Sequence, residues 1–200
     1  SALPQPRLGF FGVIDERIDT ELLRGLAAAR PDWQVCMVGP VVKIDPTTLP
    51  RAPNIHYFPQ QDYADLPAFL AGWDVCLLPF ARNEATRFIS PTKTLEYMAA
   101  EKPVVSTSIA DVIGLYGEGV AIADSVEETI AACEAALAET AAQRAQRVAR
   151  QRQLTTATSW DTGAERIAQW IEQERARGLN PEARAFFGSA RVVQMPRPPA

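Results

Sequence analysis

Residues Arg7–Val13 read RLGFFGV, a compact apolar run that follows Pro6 and precedes an acidic turn. Polar and apolar residues do not alternate within it, so the run predicts a strand that is buried on both faces. Trp33–Val38 (WQVCMV) and Val75–Leu78 (VCLL) have the same character. Strands of this kind pair in a parallel sheet that helices cover on both sides.

Helical segments separate these apolar runs. Asp19 or Thr20 is placed to cap a helix with leucines on one face, and Pro31 ends that helix. The further predicted strands are Ile55–Phe58, Val104–Ser106 and Val120–Ala123, and the further predicted helices are Tyr63–Gly72, Pro91–Ala100, Val126–Arg152 and Trp160–Arg177. We therefore predict an α/β fold, a doubly wound, mostly parallel Rossmann-like sheet with helices on both faces and additional C-terminal helices. Residues 1–177 would form this domain, and residues 178–200 a partly disordered or interface-forming tail.

The composition is that of a globular protein, with 47% hydrophobic and 22% charged residues. The net charge of −4 argues against a dedicated nucleic-acid binder, which would normally be basic. The three cysteines and the single histidine are far apart in sequence, so we expect reduced core thiols and no zinc site. No apolar run reaches the about 18 residues that cross a bilayer, and no signal peptide opens the chain. We therefore expect a cytoplasmic protein.

The segment Ser90–Ala100 (SPTKTLEYMAA) carries the strongest site signal. Ser90 is a favourable N-cap and Pro91 suits the first helical position. The backbone N–H groups of Thr92 and Lys93 would then face an anion at the positive end of the helix. Because ligands of an open parallel sheet bind beyond the carboxyl ends of its strands, this site would meet the loops that follow the other strands.

Lys93 and Glu96 share one face of this predicted helix. A cation for phosphate and a carboxylate for both ribose hydroxyls are what a nucleoside diphosphate requires. The same spacing is also that of an ordinary surface helix pair, so the spacing alone leaves both interpretations open. Three loops are expected to meet at this site, namely Asp15–Asp19, Gly39–Val42 and Arg82–Ile89.

The stretch SPTKTLEYMAAEKPVVST, residues 90–107, resembles the donor-binding segment of GT-B glycosyltransferases. The likeness is strongest to group 1, family 4-like bacterial enzymes that build surface polysaccharide or cell-wall glycans. It extends in matching order over Arg7–Ile171, including GFFGVIDERIDTELL, PDWQVCMVGP and TSWDTGAERIAQWI. The resemblance implies the C-terminal half of a two-domain, metal-independent enzyme with no permanently bound cofactor. It also implies an absent N-terminal acceptor domain and an isolated fragment without activity.

The implied reaction transfers a glycosyl unit from a nucleoside diphosphate sugar to a glycan or lipid-linked acceptor. UDP is the expected carrier and GDP the open alternative. By resemblance, Glu96 binds the donor ribose, Lys93 and Arg17 neutralise the leaving diphosphate, and Gly12 lets the first loop approach the phosphates. The other positions that the resemblance places at the donor are Ser90, Pro91, Thr92, Thr94 and Phe58, the last at a strand end that would hold the base. The full-length enzyme could associate peripherally with the inner membrane.

The chain departs from the family pattern at two positions. Many relatives carry a second Glu eight residues before the ribose Glu, where this chain has Phe88, and Glu84 in the same loop has the wrong spacing. Relatives also commonly carry Gly at the position of Glu101, where a helix ends in a left-handed residue. We expect a local stability cost at Glu101.

Two other functions stay open at this point. A sugar-nucleotide epimerase shares the architecture but needs acidic catalytic residues and a His-based pyrophosphate site that the sequence lacks. A non-enzymatic interaction module would be favoured if Lys93 and Glu96 were held in core salt bridges away from any cleft.

Several residues have structural interpretations that we favour over functional ones. We expect His56 to be structural, because it lies within a short apolar strand. Asp15 and Asp19 are explained as a loop acid and a helix cap. The arginines at 144, 147, 150 and 152 are interpreted as a solvated helix face. The apolar side of the last helix is interpreted as an interface with the absent domain.

Overall fold

The computed structural model describes residues 3–158 and 160–177. Its strands form one six-stranded sheet in the order β3-β2-β1-β4-β5-β6, and every neighbouring pair is parallel. The strands are β1 Arg7–Phe11, β2 Gln34–Val38, β3 Ile55–Phe58, β4 Val75–Leu78, β5 Val104–Ser106 and β6 Ala121–Ile122. The chain winds outward in one direction from β1 to β3 and in the other from β4 to β6. The predicted doubly wound, parallel α/β fold is therefore confirmed.

Helices connect these strands. The helices of the described residues are α1 Thr20–Ala29, α2 Leu66–Gly72, α3 Lys93–Ala99, α4 Ala110–Tyr116, α5 Val126–Leu137, α6 Ala141–Ala157 and α7 Trp160–Ala176, with 3-10 turns at Pro46–Thr48 and Tyr63–Asp65. The sequence did not predict α4, and the helix predicted over Val126–Arg152 is wrong as one element. It breaks after α5, and Thr140 starts α6 because its backbone N–H donates to Gln143 Oε1 at 2.9 Å and its Oγ1 accepts from Gln143 N at 3.3 Å.

The start of α1 follows the predicted capping. Asp19 is the N-cap, and its carboxylate accepts a hydrogen bond of 2.8 Å from the backbone N–H of Leu22. The predicted apolar face of α1 is buried. The cap therefore fixes where the helix begins and which face packs on the sheet.

The core lies on both faces of the sheet. All five residues of β2 are buried, as are all four of β4. Cys36, Cys76 and Cys133 are free thiols inside this core, and burial raises the pKa of Cys36 to about 11 and that of Cys133 to about 12. The prediction of reduced core thiols is confirmed.

The end of α3 is a left-handed turn at Glu101, which has a φ of 56°. The backbone N–H of Lys102 donates to Tyr97 O at 3.1 Å, and that of Glu101 donates to Met98 O at 2.9 Å. This pair of bonds is the Schellman arrangement, which satisfies the last carbonyls of a helix. The conformation expected at Glu101 is confirmed.

Helix α6 closes this turn from the outside. Arg147 forms two hydrogen bonds of 2.8 Å with the Glu139 carboxylate and donates to Glu101 O at 2.9 Å. The fully buried Gln151 donates to Lys102 O at 2.9 Å and to Gly119 O at 3.1 Å. The interpretation of the arginine set as a solvated face is wrong for Arg147, because its side chain is mostly buried and its guanidinium is bound on several sides.

The chain separates into two compact units, Ser1–Ala157 and Thr158–Ala200. The first contains the whole sheet. In the second, Ile167, Trp170 and Ile171 of α7 are each more than half exposed, and their use as an interface stays a prediction. The boundary expected at residue 177 stays a prediction. The predicted tail, residues 178–200, lies outside the described residues.

Candidate functional site

The loop that follows β1 lies between two other loops at the carboxyl edge of the sheet. The backbone N–H of Ile14 donates to Pro40 O at 2.9 Å in the loop after β2, and that of Asp19 donates to Pro79 O at 2.8 Å after β4. The backbone N–H of Ala81 in turn donates to Arg17 O at 2.8 Å. The predicted meeting of the three loops is confirmed, at the point where the strand order reverses.

Gly12 and Gly39 allow these loops to approach each other. Both have a positive φ, 138° and 143°. A Cβ atom on Gly39 would lie 2.0 Å from the carbonyl oxygen of Gly12, and one on Gly12 would lie 2.8 Å from Cε of Lys93. Any side chain at Gly12 would therefore displace Lys93, so the glycine sets the position of that amine.

The Lys93 ammonium is half-buried above two aromatic rings. Its Nζ lies 5.3 Å from the ring centroid of Phe10 and 5.4 Å from that of Phe80. Within the part of the chain that the structure describes, no carboxylate lies within 4.0 Å of it. Burial lowers the pKa of Lys93, and the nearby positive charge of Arg17 lowers it further. The site thus holds a cation without a paired anion.

Arg17 lies near this cation but is itself paired. Its guanidinium donates to both carboxylate oxygens of the buried Asp15, to Oδ1 at 2.9 Å and to Oδ2 at 2.7 and 3.0 Å. Burial alone would raise the pKa of Asp15, but its hydrogen bonds with Arg17 and the charge of Arg17 hold that pKa below its ordinary value. The structural interpretation of Asp15 and Asp19 is confirmed, since one pairs with Arg17 and the other caps α1.

The predicted start of α3 is wrong. Thr92, not Ser90, occupies the N-cap position, and it makes no side-chain capping bond. Pro91 stands before the helix, where its carbonyl accepts a hydrogen bond of 3.0 Å from the N–H of Thr94. The helix has seven residues, so its dipole is short, and Lys93 is the larger source of positive charge at this end.

Thr94 is fully buried, and its Oγ1 has no hydrogen-bond partner among the described residues. A ligand at the surface of the site could not reach this hydroxyl in the present conformation. Ser90 and Thr92 are exposed.

Glu96 lies at the edge of an apolar cleft of about 440 Å³ between α2 and α3. The cleft is lined by Phe11, Tyr63, Leu66, Pro67, Leu70, Ala71, Glu96, Ala99, Ala100 and Lys102. The hydroxyl of Tyr63 donates to Glu96 Oε1 at 3.3 Å. Volume and lining fit a small-molecule site with a few polar groups at its edge. The sequence reasoning missed Tyr63, because no motif joins it to α3.

Phe58 and His56 belong to β3. The Phe58 carbonyl already accepts a hydrogen bond of 3.0 Å from Gly39 N, and its ring packs against Phe69 with centroids 5.7 Å apart. His56 Nε2 lies 2.8 Å from Gln34 Oε1 in the neighbouring strand, which confirms its structural role.

Phe88 occupies the position where many relatives have a second Glu, and its side chain is 85% exposed. Arg87 lies over its ring, 5.1 Å from the centroid. Glu84 lies 3.6 Å from Arg87 and is exposed. Within the described residues, no cluster of three or more His, Cys, Asp or Glu side chains could hold a metal ion. No helix in the same part of the chain combines the length and the apolar character that crossing a membrane demands.

Neither Lys93 nor Glu96 is buried in a core salt bridge, the arrangement that would have favoured a non-enzymatic module. Instead one lies at the reversal point of the sheet and the other at the edge of a cleft. A parallel sheet of this order, with a lysine and a glycine together at the reversal point, defines a Rossmann-like α/β domain.

The chain belongs to the family "Glycosyl transferases group 1", whose sequence model matches residues 5–139. A relative in Bacillus subtilis (strain 168), "Putative teichuronic acid biosynthesis glycosyltransferase TuaH", is 29% identical over 142 residues, or 66% of this chain and 35% of the relative. The resemblance that the sequence indicated is thereby confirmed.

Solved structures share the fold. The trehalose-6-phosphate synthase OtsA superposes with a TM-score of 0.66 at 16% identity, over 84% of this chain and 43% of that one. Anabaena HepE, solved in complex with UDP-glucose, gives a TM-score of 0.65 at 17% identity, over 84% of this chain and 49% of that one. The chain thus spans about a third of the curated relative and less than half of either solved chain.

Proposed function

We propose that this chain is the donor-binding domain of a glycosyltransferase that takes a glycosyl unit from a nucleoside diphosphate sugar. The observation that carries the proposal is the half-buried Lys93 ammonium beside Gly12, which forms no ion pair with any residue that the structure describes. An uncompensated buried charge is costly, so folded proteins normally pair it. A diphosphate at this edge of the sheet would supply the missing negative charge.

Glu96 is proposed to bind the donor ribose. It stands one helical turn after Lys93 on α3, and a carboxylate has acceptor sites for both hydroxyls of a ribose. The exposed backbone of Thr92 and the hydroxyl of Ser90 are available to the phosphates. A nucleoside diphosphate spanning the two charged groups would have its cationic and acceptor partners in the required order.

In the proposed reaction Lys93, assisted by Arg17, stabilises the charge that develops on the departing diphosphate. Preformed cations at the leaving group act where charge appears in the transition state, which is the usual source of large rate effects. The Asp15 carboxylate keeps Arg17 oriented but makes the pair neutral overall, so we assign Lys93 the larger part. No step in this scheme calls for a metal ion.

UDP is proposed as the carrier, because HepE was solved with UDP-glucose and shares this fold. The acceptor is proposed to be a glycan or lipid-linked glycan, in line with the teichuronic acid biosynthesis named for the Bacillus relative. A further domain would bind that acceptor, and the fragment alone would then lack transferase activity. A cytoplasmic location stays a prediction.

Isothermal titration of the 200-residue chain with UDP, GDP and ADP tests the proposal. We expect UDP to bind best, and Lys93→Ala to weaken it by about 30-fold, because a hydrogen bond to a charged group contributes about 2 kcal/mol. Glu96→Ala should weaken UDP binding by a similar factor through the ribose.

Two matched variants control for charge alone. Arg24→Ala and Glu127→Ala each remove an exposed charge outside the site and should leave UDP affinity unchanged. If none of the three nucleotides bound to the chain, the proposal would be contradicted. So would equal losses from the site variants and the control variants.

A further inference from the structure

Tyr63 lies at the edge of the cleft between α2 and α3 and belongs to the 3-10 turn that precedes α2. Its side chain is 74% exposed, yet its hydroxyl donates to Glu96 Oε1 at 3.3 Å. The two residues come from separate elements. A single hydrogen bond therefore connects one wall of the cleft to the carboxylate on the other wall.

We infer that Tyr63 is a positioning residue, whose hydroxyl holds the Glu96 carboxylate in the orientation that accepts the ribose hydroxyls of the donor. The inference rests on the proposed function, because it assumes that Glu96 binds a ribose. It adds a residue that neither the family pattern nor the sequence motifs indicated.

The hydrogen-bonding capacity of Glu96 is compatible with this role. A carboxylate has about four lone-pair sites, and the Tyr63 hydroxyl uses one of them. The remaining sites can accept both hydroxyls of a ribose. Among the described residues, no ion pair and no second side-chain hydrogen bond reaches Glu96, so Tyr63 is its one polar side-chain contact there.

Lys102 illustrates why this contact matters. Lys102 lines the same cleft, but its amine donates to the carbonyl of Trp73 at 2.7 Å and does not reach Glu96. Without Tyr63 the Glu96 side chain would be free to rotate, and binding would have to immobilise it. A flexible side chain loses rotamer freedom when it is fixed, so prior ordering by the Tyr63 hydrogen bond improves affinity.

The hydroxyl of Tyr63 contributes little to the stability of the fold. The side chain is mostly exposed, and a hydrogen bond between exposed groups contributes little to folding. Replacing it with Phe keeps the ring and removes only the hydroxyl. The variant should fold normally, so a change in ligand selectivity would report on the positioning of Glu96.

The experiment compares UDP with 2′-deoxy-UDP on the wild-type chain, Tyr63→Phe and the control Tyr116→Phe. Tyr116 lies at the end of α4, is buried and does not line the cleft. We expect Tyr63→Phe to lower UDP affinity about five-fold and 2′-deoxy-UDP affinity less, because one net hydrogen bond is lost for the ribose alone. Tyr116→Phe should leave the ratio of the two affinities unchanged.

A second measurement places Tyr63→Phe in a Glu96→Ala background. If Tyr63 acts through Glu96, Tyr63→Phe should not change UDP affinity in the Glu96→Ala background. Independent, multiplying losses would overturn the inference, as would wild-type affinity and selectivity in Tyr63→Phe while Glu96→Ala weakens binding. In those two cases the proposed function still stands. A wild-type chain that binds no nucleotide would overturn both.

Discussion

At its N-terminal end, α3 places the Lys93 ammonium half-buried over two aromatic rings, with no carboxylate of the described residues in contact. At its C-terminal end the unfavourable left-handed Glu101 is paired with Arg152, whose Nε lies 2.9 Å from the Glu101 carboxylate. The Glu101 end has an ion pair among the described residues, whereas the Lys93 end has only the two rings and the more distant charges of Glu96 and Asp15. Uncompensated cost in a folded protein concentrates where a ligand is bound, which singles out the Lys93 end.

The largest expected effect is on the free energy of unfolding and concerns the C-terminal end of α3. Gln151→Leu would leave the carbonyls of Lys102 and Gly119 unpaired inside the protein. We expect the free energy of unfolding to fall by about 3 kcal/mol, because each buried acceptor without a partner costs about 1 to 3 kcal/mol. Urea denaturation measures the change.

The control for this variant is Gln153→Leu, an exposed position of the same helix. It should change the free energy of unfolding by less than about 0.5 kcal/mol. Equal effects at the two positions would show that the hydrogen bonds of Gln151 with the Lys102 and Gly119 carbonyls do not stabilise the fold.

The second effect has the opposite sign and acts at the other end. Lys93→Met removes the buried charge and keeps the aliphatic contacts, so the free energy of unfolding should rise by about 1 kcal/mol while UDP binding weakens by about 30-fold. Lys102→Met serves as the comparison, since that amine donates to Trp73 O. Urea denaturation should show Lys102→Met destabilised. A destabilised Lys93→Met would mean that the Lys93 charge is compensated after all.

The pH dependence of stability sharpens the same contrast. Because burial and Arg17 lower the pKa of Lys93, the folded protein releases this proton at a lower pH than the unfolded chain does. The penalty is fully present below the folded-state pKa and is relieved as the pH rises from there to the ordinary lysine value. The stability advantage of Lys93→Met over wild type should therefore shrink across that window.

UDP affinity of the wild-type chain should fall over the same rise in pH, because a neutral amine no longer attracts the diphosphate. Urea denaturation and titration calorimetry at a series of pH values measure the two trends. A stability difference that stays constant at all pH values would contradict the lowered pKa of Lys93.

The smallest effect concerns Glu101→Gly. Glycine removes the cost of about 1 kcal/mol for a left-handed residue, but it also loses the Arg152 ion pair and adds freedom to the unfolded chain. We expect a net change within about 0.5 kcal/mol. The test is a double-mutant cycle: Arg152→Ala should cost about 0.5 kcal/mol in the wild type and nothing beside Gly at position 101.

The sheet could be predicted because its central strands are apolar on both faces, as in VCLL at 75–78. Helix α4 could not, because ADVIGLY contains Gly114 and β-branched residues that disfavour helices when considered alone. The break between α5 and α6 was hidden by uniformly good helix formers. There the hydrogen bonds of Thr140 with Gln143 decide the boundary.

In the candidate site, Gly12, Arg17 and Lys93 could be placed together because the strand order brings their loops to one edge. The start of α3 could not be placed, since Ser90 and Pro91 suit a helix start that the chain does not use. Tyr63 could not be found because its contact with Glu96 depends on how α2 packs beside α3. Arg147 was misjudged because sequence shows its charge and hides the carbonyl that it binds.

The hydrogen bonds of Gln151 with the Lys102 and Gly119 carbonyls also have a consequence during synthesis of the chain. All six strands have been synthesised once Ile122 is added, whereas the partners of the Lys102 and Gly119 carbonyls arrive with Gln151. At about 5 to 20 residues per second, the nascent domain spends on the order of a few seconds with these carbonyls unmatched. A ribosome-bound chain ending at residue 139, where the family match stops, should be cleaved by proteases near Lys102 and Gly119 more readily than one ending at residue 157.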